Sequence, residues 1–213
     1  MSSPAPSSPT SWAAWREVCE RAGIHALELD HRRLNKLWSS RFRHYHTLAH
    51  LTTCLRELEC FASLEEWPGE VALALWFHDA EYSTRRSDNE ERSAILAKTM
   101  LQAAGAPAEM VGRVQQSILA TRHQDAPLAG DPALVVDIDL SVLGASPEKY
   151  AQFESDVRRE YWWVPKSRFV AGRCAILRSF LARPRIYHFE AFCERYEAQA
   201  RANLINAIET LTR

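Results

Sequence analysis

The spacing of apolar residues is the feature that most constrains the fold of this 213-residue chain. Apolar side chains recur every three or four positions along almost the whole sequence, and the alternation typical of strands is nearly absent. This periodicity predicts an all-α protein. We expect its helices to form a single bundle with additional helices towards the C-terminal end. The predicted helices span residues 11–22, 26–39, 47–64, 68–79, 88–104, 108–121, 132–143, 147–163, 166–181 and 189–211.

Length and composition indicate one domain preceded by a short leader. A chain of this length can bury one core, and a hydrophobic content of 46% with 25% charged residues is ordinary for a soluble globular protein. Residues 1–10 are rich in Ser, Pro and Ala and lack the pattern of a signal peptide, so we expect a disordered leader. Residues 11–213 are then expected to form a single domain.

The charge balance and the cysteines restrict the classes of partner and the compartment. The formal net charge is -1 and no basic tail or stripe is present, which argues against a nucleic-acid polymer as the main partner. No apolar run is long enough to span a bilayer, so a membrane partner is not expected. The five cysteines form no Cys-x-x-Cys pair, and their odd number and apolar settings indicate reduced, buried thiols in a cytoplasmic protein. A homo-oligomer is left open.

His78 and Asp79 end an otherwise apolar segment, residues 71–77. Burying an imidazole and a carboxylate is unfavourable unless something pairs with them, and a divalent metal ion accepts both a nitrogen and an oxygen ligand. Adjacent residues diverge around a helix, so both can reach one ion only if the helix ends there and the ion lies over its last turn. The alternative is that the pair simply forms a turn at the helix end.

His46 and His50 lie four positions apart. On a helix they would share one face, about 6 Å apart along the axis. One of them can then ligate a metal ion while the other points at what the ion binds. The alternative is that His46 is a polar loop residue in front of a helix and His50 is a core histidine with an ordinary hydrogen-bond partner.

Asp137 and Asp139 compete for the role of a distant metal ligand. Residues three and four positions away from Asp139 are all apolar, namely Val135, Val136, Val142 and Leu143. The corresponding neighbours of Asp137 are less consistently apolar, so we expect Asp139 at the centre of the buried face and choose it as the ligand. Asp137 would then support the site or face solvent. A buried salt bridge to an arginine is the alternative for Asp139.

Five further residues are candidates for contact with substrate or water. His123 closes a helix and can bind a substrate phosphate or a second metal ion, although a histidine at a helix C-terminus is also favoured by the macrodipole. Glu81 can act as a base or orient a water, or it is a solvated carboxylate. The basic and aromatic residues Tyr161, Lys166 and Arg173 can clamp a phosphate, or they lie on a helix surface with buried stems.

Several segments together resemble the bacterial family of predicted metal-dependent phosphohydrolases of the HD superfamily. They are residues 43–51, 77–82, 89–94, 120–123 and 137–144, and the later pair Gly172-Arg173 also fits. The resemblance implies a helical fold in which one divalent ion is held by His50, His78, Asp79 and Asp139. It leaves a second ion open.

A more distant similarity to cyclic-nucleotide phosphodiesterases implies roles for two residues. Their Tyr-His-Asn-x-x-x-His motif is matched here by Tyr45, His46 and His50, with Thr47 in place of the asparagine. In those enzymes the first histidine protonates the leaving oxygen, which implies the same role for His46. Their last metal-binding aspartate precedes Leu-Ser, as Asp139 does here, in agreement with the choice made from periodicity.

The expected function is metal-dependent hydrolysis of a small phosphate ester, with a nucleotide or a related phosphomonoester or phosphodiester as substrate. Nitrogen and oxygen donors suit Mn, Fe, Co, Ni, Zn or Mg. Asp79 would hold the attacking water or bridge to a second ion, Glu81 would assist, and His46 would protonate the leaving oxygen. Two alternatives stay open: a nucleotide-binding module without turnover, and a di-iron oxygenase, for which His123 is the only clear additional ligand.

Overall fold

Every regular element in residues 8–123 and 127–213, the part of the chain that the computed structural model describes, is helical. The predicted all-α class is therefore confirmed. The chain divides into two compact units, of which the first ends at Val135 and the second comprises Val136–Arg213. The single domain over residues 11–213 stays a prediction. Residues 1–7 of the predicted leader lie outside the described residues, and residues 8–10 form a turn in which the Ser11 amide donates to the Ser8 carbonyl.

The first unit contains six helices among its described residues and the start of a seventh. They are α1 (Trp12–Arg21), α2 (Glu28–Trp38), α3 (Leu48–Phe61), α4 (Glu70–Phe77), α5 (Asn89–Ala103), α6 (Ala108–Ala120) and α7 (Gly130–Asp139). A 3-10 turn, Ala62–Leu64, follows α3. Helix α7 begins in the first unit and ends in the second.

Helix α4 forms the core of the first unit. Each of its side chains from Val71 to Phe77 is at most 2% exposed, and the helix packs against α1, α3, α5 and α6. Gly69 precedes it with φ of +88°, and a Cβ atom at this position would lie 2.8 Å from the backbone nitrogen of Ala22. Glycine is therefore required where α4 begins against the end of α1. This packing fixes the buried C-terminal end of α4, where His78 and Asp79 follow.

The second unit consists of the end of α7 and the helices that follow. They are a 3-10 segment (Leu140–Gly144), α8 (Pro147–Glu160), α9 (Lys166–Ala182), α10 (Glu190–Phe192), a π-helical turn (Cys193–Glu197) and α11 (Ala198–Thr212). The side chain of Asn203 on α11 donates to the carbonyls of Leu143 and Ala145, each at 2.8 Å. A Cβ atom on Gly144 would lie 2.8 Å from the carbonyl oxygen of Tyr196, so this close approach also needs glycine.

The predicted helices agree with the observed ones apart from their ends, and the differences have local causes. Thr47 caps α3, because its hydroxyl accepts from the Ala49 amide at 3.3 Å, so the helix begins at Leu48 rather than at residue 47. Helix α7 changes to 3-10 geometry after Asp139. The last predicted helix, residues 189–211, is interrupted by the π-helical turn at Cys193–Glu197.

The cysteines differ partly from what their apolar settings in the sequence predicted. None of the five cysteines, all of which lie in the described residues, forms a disulfide. The expectation that all are buried is wrong for Cys60, which is exposed, and for Cys193, which is partly exposed.

Within residues 8–123 and 127–213, no helix combines the length and the apolar character that a membrane crossing requires.

Candidate metal centre

His78 follows the last residue of α4 and is 1% exposed. Its backbone amide donates to the carbonyl of Ala74 and continues the helical pattern. Its ring Nδ1 lies 2.8 Å from the carbonyl oxygen of Leu75. Because a carbonyl can only accept, Nδ1 carries a proton, and in the neutral ring the lone pair then lies on Nε2. The end of α4 therefore presents a buried imidazole nitrogen that can bind a metal ion when the ring is neutral.

His50 on α3 supplies a second imidazole nitrogen to the same place. Its Nε2 lies 3.2 Å from Nε2 of His78, and its side chain is buried. Two nitrogen lone pairs repel at this distance, so either a proton or a cation has to lie between them. The indole of Trp38 packs against both rings, with centroids 6.2 Å from His50 and 5.4 Å from His78, and is itself held by a 3.0 Å hydrogen bond to the Trp76 carbonyl.

Asp139, the last residue of α7, belongs to the same group of possible ligands as the two histidines. One ligand atom from each of His50, His78 and Asp139 lies within 4.8 Å of the other two. Two imidazole nitrogens and one carboxylate oxygen are donors that divalent transition metals accept, and three protein ligands leave coordination positions open. The group can therefore hold a divalent metal ion, and its donor set does not decide which one.

Asp79 lies beside this group without being one of the three. Its Oδ2 is 3.3 Å from Nε2 of His78 and 3.8 Å from Nε2 of His46, and its side chain is 13% exposed. The residue is thus close enough to serve as a further ligand or to hold a water next to the ion. Its role as a fourth ligand stays a prediction.

His46 lies close to His50 and Asp79, but not because of a shared helix face. We predicted that His46 and His50 share a helix face, whereas α3 begins at Leu48 and His46 lies in the turn before it. The ring of His46 stacks on Tyr82 at 4.1 Å and meets the ring of His50 edge-on at 6.0 Å. Tertiary packing against Tyr82, rather than helical phase, brings His46 to the site.

Arg43 holds the backbone around the site, a role that the sequence did not reveal. Its guanidinium donates to the carbonyls of His46 at 3.1 Å, Asp79 at 2.7 Å and Ala80 at 2.8 Å. The residue is 7% exposed. Arg43 therefore ties the turn before α3 to the segment after α4. From the sequence alone, an arginine in a polar stretch is expected at the surface. The role of Arg43 is therefore identified only by its contacts in the structure.

Replacing Arg43 with glutamine is expected to lower the free energy of unfolding by about 2–4 kcal/mol, because charged hydrogen bonds to three carbonyls are lost in a buried setting. Urea denaturation followed by circular dichroism measures the change. Arg41→Gln removes the same charge two residues earlier from an exposed position and is the control. Equal unfolding free energies for the two variants would show that the Arg43 contacts contribute nothing.

Asp137 is the aspartate whose predicted environment needs correction. It is fully buried, whereas Asp139 is partly exposed, so the expected order of burial is reversed and a solvent-facing Asp137 is wrong. The carboxylate of Asp137 accepts from the backbone amides of His188 and Phe189, at 2.9 and 2.8 Å, and from Nδ1 of His188 at 2.8 Å. The neighbours in the sequence did not predict this because the partners lie some fifty residues away.

The two aspartates are expected to differ when each is replaced by alanine. Asp137→Ala should lower the free energy of unfolding by about 2–5 kcal/mol, because it leaves buried amides without an acceptor. Asp139→Ala should weaken metal binding and lower the stability of the metal-free protein by less than Asp137→Ala does, because Asp139 is partly exposed and Asp137 is fully buried. Urea denaturation with a chelator, paired with metal titration, separates the two effects. A stability loss for Asp139→Ala with unchanged metal binding would argue against its role as a ligand.

Glu81 and His123, both predicted to act near the site, lie in different local settings. The Glu81 amide donates to the hydroxyl of Ser93 at 3.1 Å, and its carboxylate lies 3.6 Å from the guanidinium of Arg92. Glu81 is thus a partly exposed carboxylate beside an arginine. His123 follows the end of α6 with φ of +55°, in the left-handed region. Their catalytic and substrate-binding roles stay predictions.

Tyr161, Lys166 and Arg173 belong to the second unit. The guanidinium of Arg173 makes two hydrogen bonds to the carboxylate of Glu154, at 3.0 and 2.8 Å. Burial opposes its charge, but Glu154 raises the pKa of Arg173 above its ordinary value. Arg173 thus forms a largely buried ion pair, which is not the helix-surface position of the alternative, and a phosphate would have to displace Glu154. Phosphate binding by Arg173 stays a prediction.

The other two residues of the predicted clamp also have local contacts. Tyr161 packs against Phe169, with ring centroids 6.1 Å apart. Lys166 begins α9 and lines a largely apolar groove of about 410 Å³ together with Phe169 and Tyr150. Phosphate binding by Tyr161 and Lys166 stays a prediction.

Comparisons with known proteins give no independent assignment. No protein-family model, no curated protein and no solved structure matches the chain. The resemblance to HD-superfamily phosphohydrolases therefore rests on the sequence motifs, and the chemistry of the site has to be argued from its own atoms.

Proposed function

We propose that this protein is a metal-dependent phosphohydrolase of the HD superfamily, acting on a small phosphate ester such as a nucleotide. The observation that carries the proposal is the 3.2 Å approach of Nε2 of His50 to Nε2 of His78, with the carboxylate of Asp139 in the same group. Buried imidazoles and a carboxylate at this spacing are best explained by a shared divalent ion. The motifs around these residues add the phosphohydrolase class.

The residues around the group divide into those that hold the ion and those that act on substrate. His50, His78 and Asp139 would hold it, and Asp79 would complete the set or orient a water. A divalent ion in this position supplies Lewis acidity to a phosphoryl oxygen and lowers the pKa of a water. The carboxylate of Asp79 lies 3.3 Å from Nε2 of His78 and its side chain is 13% exposed, so it could accept a proton from that water.

His46 is the residue best placed to donate a proton to the leaving oxygen. Its ring lies next to the group, yet its side chain is 19% exposed, which allows contact with a bound ester. The stacked ring of Tyr82 fixes the plane of the imidazole, and Arg43 fixes the backbone carbonyl of His46. A general acid has to be held at hydrogen-bond distance from the atom it protonates, and these two contacts restrict its motion.

A substrate screen tests the proposal. Purified protein would be supplied in turn with Mn²⁺, Co²⁺, Ni²⁺, Zn²⁺ and Mg²⁺. Phosphate release would be measured from phosphomonoesters and nucleotides. Cyclic dinucleotides open without releasing phosphate, so their loss would be followed by chromatography. We expect turnover that is abolished by chelator and by His50→Ala.

The matched control for the screen is His25→Ala, which removes an exposed histidine. Turnover that persists undiminished in His50→Ala would overturn the proposal, as would the absence of turnover with every metal and substrate. Binding of a nucleotide without any turnover would instead favour a nucleotide-binding module.

A further inference from the structure

A cavity of the first unit lies where the end of α2 meets the segment that follows α4. Its volume is about 390 Å³. Helix α2 contributes Arg33 and Lys36 to its wall, and the opposite wall contains Arg43 and Tyr82. Arg33, Lys36 and Arg43 are cationic, and the cavity has the size of a small ligand rather than of a polymer.

The two cations from α2 are not committed to carboxylates. Within residues 8–123 and 127–213, neither Arg33 nor Lys36 forms an ion pair, and both side chains are exposed at the cavity. Asp30, one turn before Arg33, is the acid that Arg33 influences: burial raises the pKa of Asp30, and Arg33 opposes this. Glu81 also lines the cavity, but its carboxylate lies beside Arg92.

The cavity shares part of its wall with the candidate metal centre. Arg43 lines the cavity and donates to the carbonyls of His46 and Asp79. Tyr82 lines it and stacks on the ring of His46. A ligand that occupies the cavity would therefore contact the same residues that position the proposed general acid.

We propose that this cavity binds a phosphate group, and, resting on the proposed function, that it takes the second phosphate of a substrate whose first phosphate is hydrolysed. The substrate class is thereby narrowed to small esters that carry two phosphate groups, such as nucleoside diphosphates and bisphosphates. Arg33 provides a planar donor that matches phosphate oxygens, and Lys36 adds a mobile point charge. The hydroxyl of Ser40 in the same wall can donate to a third oxygen.

The cations favour a phosphate over a nucleic-acid polymer. Binding of a polymer needs a row of phosphate contacts along an extended basic surface, whereas the chain has a net charge of -1 and no basic stripe. Arg33 and Lys36, which form no ion pair among the described residues, carry two positive charges near the end of α2, and these match the charge of a single phosphate group.

Calorimetric titration with inorganic pyrophosphate tests the proposal in the presence of a chelator, so that the metal centre takes no part. The double variant Arg33→Gln/Lys36→Gln should bind pyrophosphate roughly 10- to 100-fold more weakly, the effect of one or more lost charged hydrogen bonds. Both side chains are exposed, so folding should be unaffected. Arg32→Gln removes one positive charge from the adjacent position, where Arg32 pairs with Glu28 outside the cavity, and should bind pyrophosphate like the unchanged protein.

Steady-state kinetics provide the second measurement. In the double variant, KM should rise for a nucleoside diphosphate and stay unchanged for a monophosphate, with kcat preserved for both. Pyrophosphate binding that is absent from the unchanged protein, or equal in the double variant, would overturn the proposal. If pyrophosphate binding follows the expected pattern while no ester is hydrolysed, the proposed function fails and the phosphate site stands.

Discussion

Replacing His78 with alanine is expected to remove the metal ion from the protein. The imidazole is 1% exposed, and the contact of Nδ1 with the Leu75 carbonyl leaves Nε2 as the nitrogen that can bind a metal ion in the neutral ring. The variant loses one of the three donors that lie within 4.8 Å of one another, so affinity should fall by at least about 100-fold, more than the usual loss for residues that only support a ligand. Elemental analysis of protein purified without chelator measures the change, with a near-stoichiometric transition metal expected in the unchanged protein.

The same loss is expected for Asp79→Ala if Asp79 is a ligand, and for His50→Ala. His25→Ala is the control, because it removes an imidazole from the surface. Circular dichroism establishes that each variant is folded before its metal content is compared. Metal retained undiminished in both His78→Ala and His50→Ala would contradict the assignment of the centre.

Replacing His46 with alanine is expected to leave the metal content unchanged and to lower kcat by ~10²–10⁴, the usual range for the loss of a general acid. Nε2 of His46 lies 3.8 Å from the carboxylate of Asp79, and the ring of His46 stacks on Tyr82. The loss should be largest for alkyl phosphates and nucleotides, whose leaving oxygens need a proton. It should be small for nitrophenyl phosphate, whose leaving oxygen needs little protonation.

Measurement of kcat on both kinds of substrate, alongside metal analysis, separates the possible roles of His46. An equal loss on both kinds would argue for a binding or structural role. Loss of the metal in His46→Ala would make His46 a ligand, and the donor set would then have to be redrawn. Tyr82→Leu is an informative companion, because it removes the stacking partner of His46 and leaves the imidazole in place.

The helices and the end of α4 were predictable because both depend on local sequence. Apolar spacing is a property of neighbouring residues, and it predicted the ranges of α1 to α9 to within a few residues. The wholly apolar segment before His78 indicated a buried helix, and burial made an ion the natural partner for the residues that end it. The group formed by His50, His78 and Asp139 follows from those inferences together with the resemblance.

The features that the sequence did not predict depend on contacts between distant residues. His46 reaches the site through its stacking on Tyr82, and no periodicity encodes that contact. Asp137 is buried because the turn at His188 and Phe189 needs an acceptor. Arg43 is buried because three carbonyls from two segments, that of His46 and those of Asp79 and Ala80, converge on it. In each case a polar residue has its role defined by partners that only the fold brings near.

X-ray absorption spectroscopy at the edge of the metal that copurifies with the protein tests the central claim most directly. The account predicts a first shell of nitrogen and oxygen donors that includes about two imidazoles, from His50 and His78, and no sulfur. The absence of sulfur is informative, because Sγ of Cys54 lies 3.6 Å from Nε2 of His50. A shell of oxygens without imidazole, or one that contains the Cys54 sulfur, would contradict the proposed centre.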